Sequence, residues 1–132
     1  MVHGGDASTA TNGFWSALNV ATTRRLPLLF FIEDNGYGIS VPVGMQTPGG
    51  DIGRNLSGFQ GLRIIEADAT EPQDAASQIA AAVAAVRDGY GPVLLHVLVP
   101  RLNGHSYQDN QAYKSPSVVA LERAPDPLVA LR

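Results

Sequence analysis

The chain's 132 residues suffice for one hydrophobic core but not two, and 45% hydrophobic with 16% charged residues excludes disordered and fibrous classes. A net charge of -3, with no basic cluster beyond Arg24-Arg25, leaves no face for a phosphate backbone, so nucleic acid is not an expected partner. Without Cys there are no disulfides or thiolate metal sites, which fits a reducing cytoplasm, and apolar runs far below the roughly 20 residues that span a bilayer, without a signal-peptide pattern, predict neither membrane insertion nor export.

Gly4-Gly5, then Asp-Ala-Ser-Thr and Asn12-Gly13, read as a Gly-rich turn opening a helix over residues 13–24, on which Phe14, Ala17, Leu18 and Ala21 recur at helical spacing. Residues 26–32 form a short apolar run stopped by Glu33-Asp34-Asn35-Gly36, the pattern of a strand buried on both faces in a parallel sheet. Residues 40–59 are rich in Gly and Pro with little periodicity and read as a long surface loop. Residues 62–66 give a second strand, and Glu71-Pro72 opens a helix through Ala75, Ile79, Ala82, Val83 and Val86 to a stop at Gly89. Residues 92–99 give a third strand, apolar except for His96, and residues 101–114 a polar loop. Strands alternating with helices predict an α/β fold with a doubly wound parallel sheet, in which ligands bind beyond the carboxyl ends of the strands. The whole of 1–132 reads as a single domain. Only Met1-Val2-His3 precede the Gly-rich turn, and residues 124–132 begin what resembles another helix, so the chain is expected to be a fragment cut at both ends.

Gly5-Asp6-Ala7-Ser8 places backbone N–H groups at a helix start, where the dipole favours an anion such as a diphosphate; an Asp there is equally suited to capping the helix. Asp34-Asn35-Gly36-Tyr37 lies just past the next strand, so adjacent parallel strands bring both turns to one sheet edge. The Asp6 carboxylate and the Asn35 amide oxygen are hard ligands, and Mg²⁺ commonly takes one or two such groups together with phosphate oxygens and water. Trp15, Phe14 and Tyr90 read as packing residues, and His96 as a core or subunit-contact histidine.

Gly5-Asp6-Ala7, a gap of 26 residues, and Asp34-Asn35 together resemble the thiamine diphosphate signature, normally Gly-Asp-Gly, a gap of about that length, and Asn-Asn. Asn12-Gly13-Phe14-Trp15, Leu26-Pro27, Glu33 through Ser40 and Val41-Pro42 are similar to the alpha subunit of pyruvate and branched-chain 2-oxo acid dehydrogenases. Arg101, Gly104-His105-Ser106, Asp109 and Tyr113 extend the likeness over nearly the whole chain. The resemblance implies the thiamine diphosphate-binding fold, with thiamine diphosphate and Mg²⁺ as cofactors. It also implies Mg²⁺ ligation by the side chains of Asp6 and Asn35 and the carbonyl of Tyr37, with Gly5, Ala7 and Ser8 near the diphosphate. His105 would stand at the cofactor mouth as a catalytic residue; without the resemblance it reads as a solvated loop histidine. Ser106 matches a position phosphorylated in some eukaryotic relatives, and no modification is predicted.

The implied reaction is oxidative decarboxylation of a 2-oxo acid with acyl transfer to a lipoyl group. The implied partners are a beta subunit, which supplies a glutamate to the cofactor, and a lipoyl-bearing acyltransferase component, in an alpha-beta heterotetramer. The isolated chain is expected to be inactive. Two departures bear on this. Ala7 replaces the third motif glycine and disfavours positive φ, and Asp34 replaces the first asparagine, adding a negative charge that Mg²⁺ or a neighbouring Arg would have to offset. The alternative readings are a non-catalytic remnant or interaction module of the same fold and, less well matched, a transketolase-like protein.

Overall fold

The structure is a computed structural model that describes residues 1–131. Strand β1 (Val2–Gly5) leads through a 3-10 turn (Asp6–Ala10) into helix α1 (Asn12–Thr23), and β2 (Leu29–Asp34) follows. A small hairpin, β3 (Tyr37–Gly38) with β4 (Val41–Pro42), two further 3-10 turns and the short helix α2 (Ile52–Asn55) lead to β5 (Arg63–Asp68), helix α3 (Pro72–Arg87) and β6 (Val93–Leu98). After an irregular segment come α4 (Pro116–Arg123) and α5 (Pro127–Ala130).

The four long strands form one sheet in the order β1-β2-β6-β5, and every neighbouring pair is parallel. The step from β1 to β2 and the step from β5 to β6 run in opposite directions across this sheet. Crossovers of one hand must then lay α1 and α3 on opposite faces, and the two cores are arranged so. Phe14, Leu18 and Ala21 of α1 with Ile52 and Leu56 cover Phe30, Ile32 and Leu94, whereas Ala82 and Ala85 of α3 cover Leu29, Ile65, Val93, Leu95 and Val97. Successive residues of β6 thus serve different cores, which requires a near-continuous apolar strand. The expectation of a doubly wound parallel sheet holds.

Local chemistry sets the ends of these elements. Thr11 caps α1 by accepting from the Phe14 amide (3.3 Å), and Pro72 starts α3, whose end is followed by Gly89 at φ 80°. Four expectations shift. Gly4 and Gly5 belong to β1 rather than to the turn, paired with Ile32 and Glu33. The strand expected over residues 26–32 is β2 and begins at Leu29, because Arg25 at φ 50° and the bond from the Leu26 amide to the Ala21 carbonyl (2.9 Å) draw the preceding residues into the helix end. The 40–59 loop contains β4 and α2, the latter capped by Asp51 and held by buried Ile52 and Leu56. Finally, α4 starts at Pro116 behind a Ser115 cap. Phe14 packs on Phe30, but Trp15 and Tyr90 are exposed, Tyr90 lying under the Arg63 guanidinium. No helix among the described residues is long and apolar enough to cross a membrane.

Candidate cofactor and metal site

Register makes the carboxyl ends of three strands level: Gly5 lies beside Glu33, and Asp34 beside Leu98. The segments leaving β1, β2 and β6 therefore meet, and they enclose a cleft of about 640 Å³. All seven residues singled out in the sequence, Gly5, Asp6, Ala7, Ser8, Asn35, Tyr37 and His105, line it.

The β1 turn is self-braced. The Ser8 hydroxyl donates to the Gly5 carbonyl (2.6 Å) and the Thr9 hydroxyl to the Asp6 carbonyl (2.7 Å). The Asp6 side chain is 2% exposed, and its Oδ2 has no hydrogen-bond partner among the described residues. A buried carboxylate oxygen without a partner is costly unless a cation or donor meets it. Beyond β2, two side chains fold back on the backbone: Asp34 Oδ1 accepts from the Gly36 amide (2.9 Å) and Asn35 Oδ1 from the Tyr37 amide (3.1 Å). Gly36 at φ 78° makes this double turn possible. Arg101, first in the segment after β6 apart from Val99 and Pro100, is 6% exposed; its Nη1 donates to Asn35 Oδ1 (3.4 Å) and to the Tyr37 carbonyl (3.3 Å).

The family described as "Dehydrogenase E1 component" matches residues 1–132. The chain belongs to this family. Among its relatives, the 3-methyl-2-oxobutanoate dehydrogenase subunit alpha of Mycobacterium tuberculosis is 30% identical over 129 residues, covering 97% of this chain and 35% of the relative. The 2-oxoisovalerate dehydrogenase subunit alpha of Bacillus subtilis is 29% identical over 126 residues, 95% of this chain and 38% of that protein. The pyruvate dehydrogenase E1 component subunit alpha of Rickettsia conorii is 30% identical over 130 residues, 97% of this chain and 39% of that protein. This E1 chain thus spans between about a third and two fifths of the length of the relatives it matches.

Both departures of this E1 chain from the usual signature have local compensation. Ala7 sits in the 3-10 turn and is not among the residues with positive φ, so its methyl brings no backbone strain. Opposite it stands Gly38, where an added Cβ would lie 2.6 Å from that of Ala7. Asp34 is offset by His96, whose Nε2 lies 2.9 Å from Asp34 Oδ2, both side chains being buried. Burial pushes the Asp6 carboxyl above the usual carboxylate range, and the Asp34 charge adds to this, opposed by the backbone amides of Asp6 and Asn35 and by Arg101. A divalent cation would relieve both causes, and the oxygen donors of Asp6, Asn35 and Tyr37 suit a hard one.

Sequence reasoning does not place Arg101 at this cleft, although it is the first charge after an apolar strand that ends at the cleft. Its guanidinium also lies 5.4 Å from the Tyr37 ring centroid, and Lys114 Nζ lies 4.0 Å from it on a second contact. His105 is exposed, and its amide donates to Asp109 Oδ2 (2.7 Å), which also accepts from the Tyr113 hydroxyl (3.2 Å). Residues 101–114 are thereby folded over the β2 turn.

Proposed function

We propose that this chain is the part of a 2-oxo acid dehydrogenase alpha subunit that binds the Mg²⁺-diphosphate end of thiamine diphosphate. The observation that carries the reading is the buried Asp6 carboxylate oxygen that has no hydrogen-bond partner among the described residues, on a side chain that lines the same cleft as Asn35 and Tyr37. Asp6 Oδ2, Asn35 Oδ1 and the Tyr37 carbonyl would hold Mg²⁺, and the turn at Ala7 and Ser8 would receive the diphosphate. Thiamine diphosphate held there would supply a nucleophilic carbon and an electron sink for the decarboxylation of a 2-oxo acid.

This chain's own residues bind and orient. Arg101 lends positive charge to the ligand cluster, and His105, on the rim, is placed to meet the substrate or the acyl acceptor. The relatives named as dehydrogenase alpha subunits support this reading, as does the order of the two motifs. The partners proposed are a beta subunit and a lipoyl-bearing acyltransferase component, the substrate is a small 2-oxo acid, the whole assembly is an alpha-beta heterotetramer, and the compartment is the cytoplasm. Residues 1–132 act within it as one domain.

Calorimetric titration with thiamine diphosphate, with and without Mg²⁺, tests the site. Binding should require Mg²⁺ and be abolished by Asp6→Ala or Asn35→Ala. A folded wild-type chain that binds nothing under either condition would overturn cofactor binding by this chain and favour a non-catalytic module.

A further inference from the structure

His96 is the one polar residue of an otherwise apolar strand, and it is 3% exposed. Its strand is paired on both sides, with Ile32 and Glu66 as its register neighbours, so its backbone is among the best anchored in the molecule. The imidazole is fixed in orientation as well as position. Nε2 meets Asp34 Oδ2 at 2.9 Å, where a ring carrying its proton on Nε2 donates to the carboxyl oxygen. Nδ1 faces the opposite way, 4.0 Å from Asp51 Oδ1, and the ligand-type atoms of Asp51, Glu66 and His96 all lie within 4.8 Å of one another. Gly53 backs the ring so closely that an added Cβ would lie 3.1 Å from Nδ1 and 2.9 Å from Glu66 Oε1.

Asp34 transmits this anchoring outward. One carboxylate oxygen is held by His96 and the other receives the Gly36 amide at 2.9 Å, so the carboxylate is clamped between the central strand and the turn. That turn carries Asn35 Oδ1 and the Tyr37 carbonyl, which are themselves linked through the Tyr37 amide at 3.1 Å. We propose that His96 is a positioning residue for the β2 turn, acting through Asp34 to hold Asn35 and Tyr37 in ligand geometry. The proposal rests on the metal-site reading for its purpose, but the clamp itself is a property of the chain without cofactor. Hydrogen-bond partners one step removed from a metal typically change its affinity by roughly 10- to 100-fold when lost.

The test uses the 132-residue chain and two readouts. In His96→Leu, and in His96→Phe as a replacement that fills the ring's volume, amide exchange of Gly36 and Tyr37 should rise by about tenfold or more, while the Leu94 and Leu95 amides of β6 stay protected. Mg²⁺-dependent affinity for thiamine diphosphate should fall by roughly 10- to 100-fold. A reciprocal pair, Asp34→Asn with His96→Glu, rebuilds the hydrogen bond with donor and acceptor exchanged and should return both readouts to near wild type. Glu66→Gln, on the Nδ1 side of the ring, should leave the turn unchanged. Unaltered exchange at Gly36 and Tyr37 in a folded His96 variant, or a reciprocal pair no better than the single change, overturns the proposal. Failure of the wild type to bind cofactor would instead overturn the site reading, and the exchange data would still decide the clamp.

Discussion

Burial alone would push the His96 imidazole down, yet the Asp34 hydrogen bond and the charges of Asp34, Asp51 and Glu66 outweigh it and hold the group above its ordinary value of 6.5. A group whose folded value is raised contributes stability that is fully present below the unfolded value and lost as pH rises through the folded one. The chain should therefore lose thermal stability as pH rises from below about 6.5 into the alkaline range, and His96→Gln, which cannot be charged, should lose less. Melting curves of both proteins across that range decide it; a constant gap between them would assign the His96 contribution to packing alone. Asp6 and Asn35 could be picked out in the sequence because each sits in a short Gly-containing turn at a strand end, and Tyr37 entered only through the family resemblance. His96 and Arg101 could not, since their partners Asp34 and Asn35 lie 62 and 66 residues away, and only sheet register brings them together.

Among the elements, those with long periodic patterns were legible and those built on one or two contacts were not. Helix α3 announces itself through sixteen residues, rich in Ala, that begin with Pro72, whereas α2 has four residues and is held by its Asp51 cap and the burial of Ile52. The segment 101–114 has no repeating pattern at all; its order comes from Asp109, which accepts from the backbone amides of His105 and Gln111 and from Tyr113. Gly104 is required there by close approach, since a Cβ would meet the Asp109 backbone oxygen and lie 2.8 Å from the Asp109 Cβ. Gly104→Ala should thus push the two limbs apart and break the His105 amide bond. Faster proteolysis and amide exchange confined to residues 101–114, with the melting temperature little changed, is the expected result; unchanged exchange at His105 would mean the segment tolerates the methyl by shifting as a unit.

For the molecule as a whole, the decisive feature is that one strand serves two cores. Leu94 and Leu95 are both 0% exposed, but Leu94 packs with Phe14 and Leu18 of α1 and Leu95 with Ala82 and Ala85 of α3. A sheet one strand thick cannot lose one covering layer without exposing the backbone pairing that supports the other, so the two cores should melt together as one cooperative unit. The single tryptophan provides a way to see this. Trp15 lies on α1 with its ring 5.7 Å from that of Phe14, on the face away from α3. Leu95→Ala removes buried side chain from the α3 core and should cost about 2–5 kcal/mol. If the molecule is one unit, the Trp15 fluorescence midpoint in urea should shift as far as the far-ultraviolet circular dichroism midpoint, although the substitution touches the other core. A fluorescence midpoint that stays in place while the dichroism signal moves would divide the chain into two units, and would require the cleft at the ends of β1, β2 and β6 to be supported by the α1 layer alone.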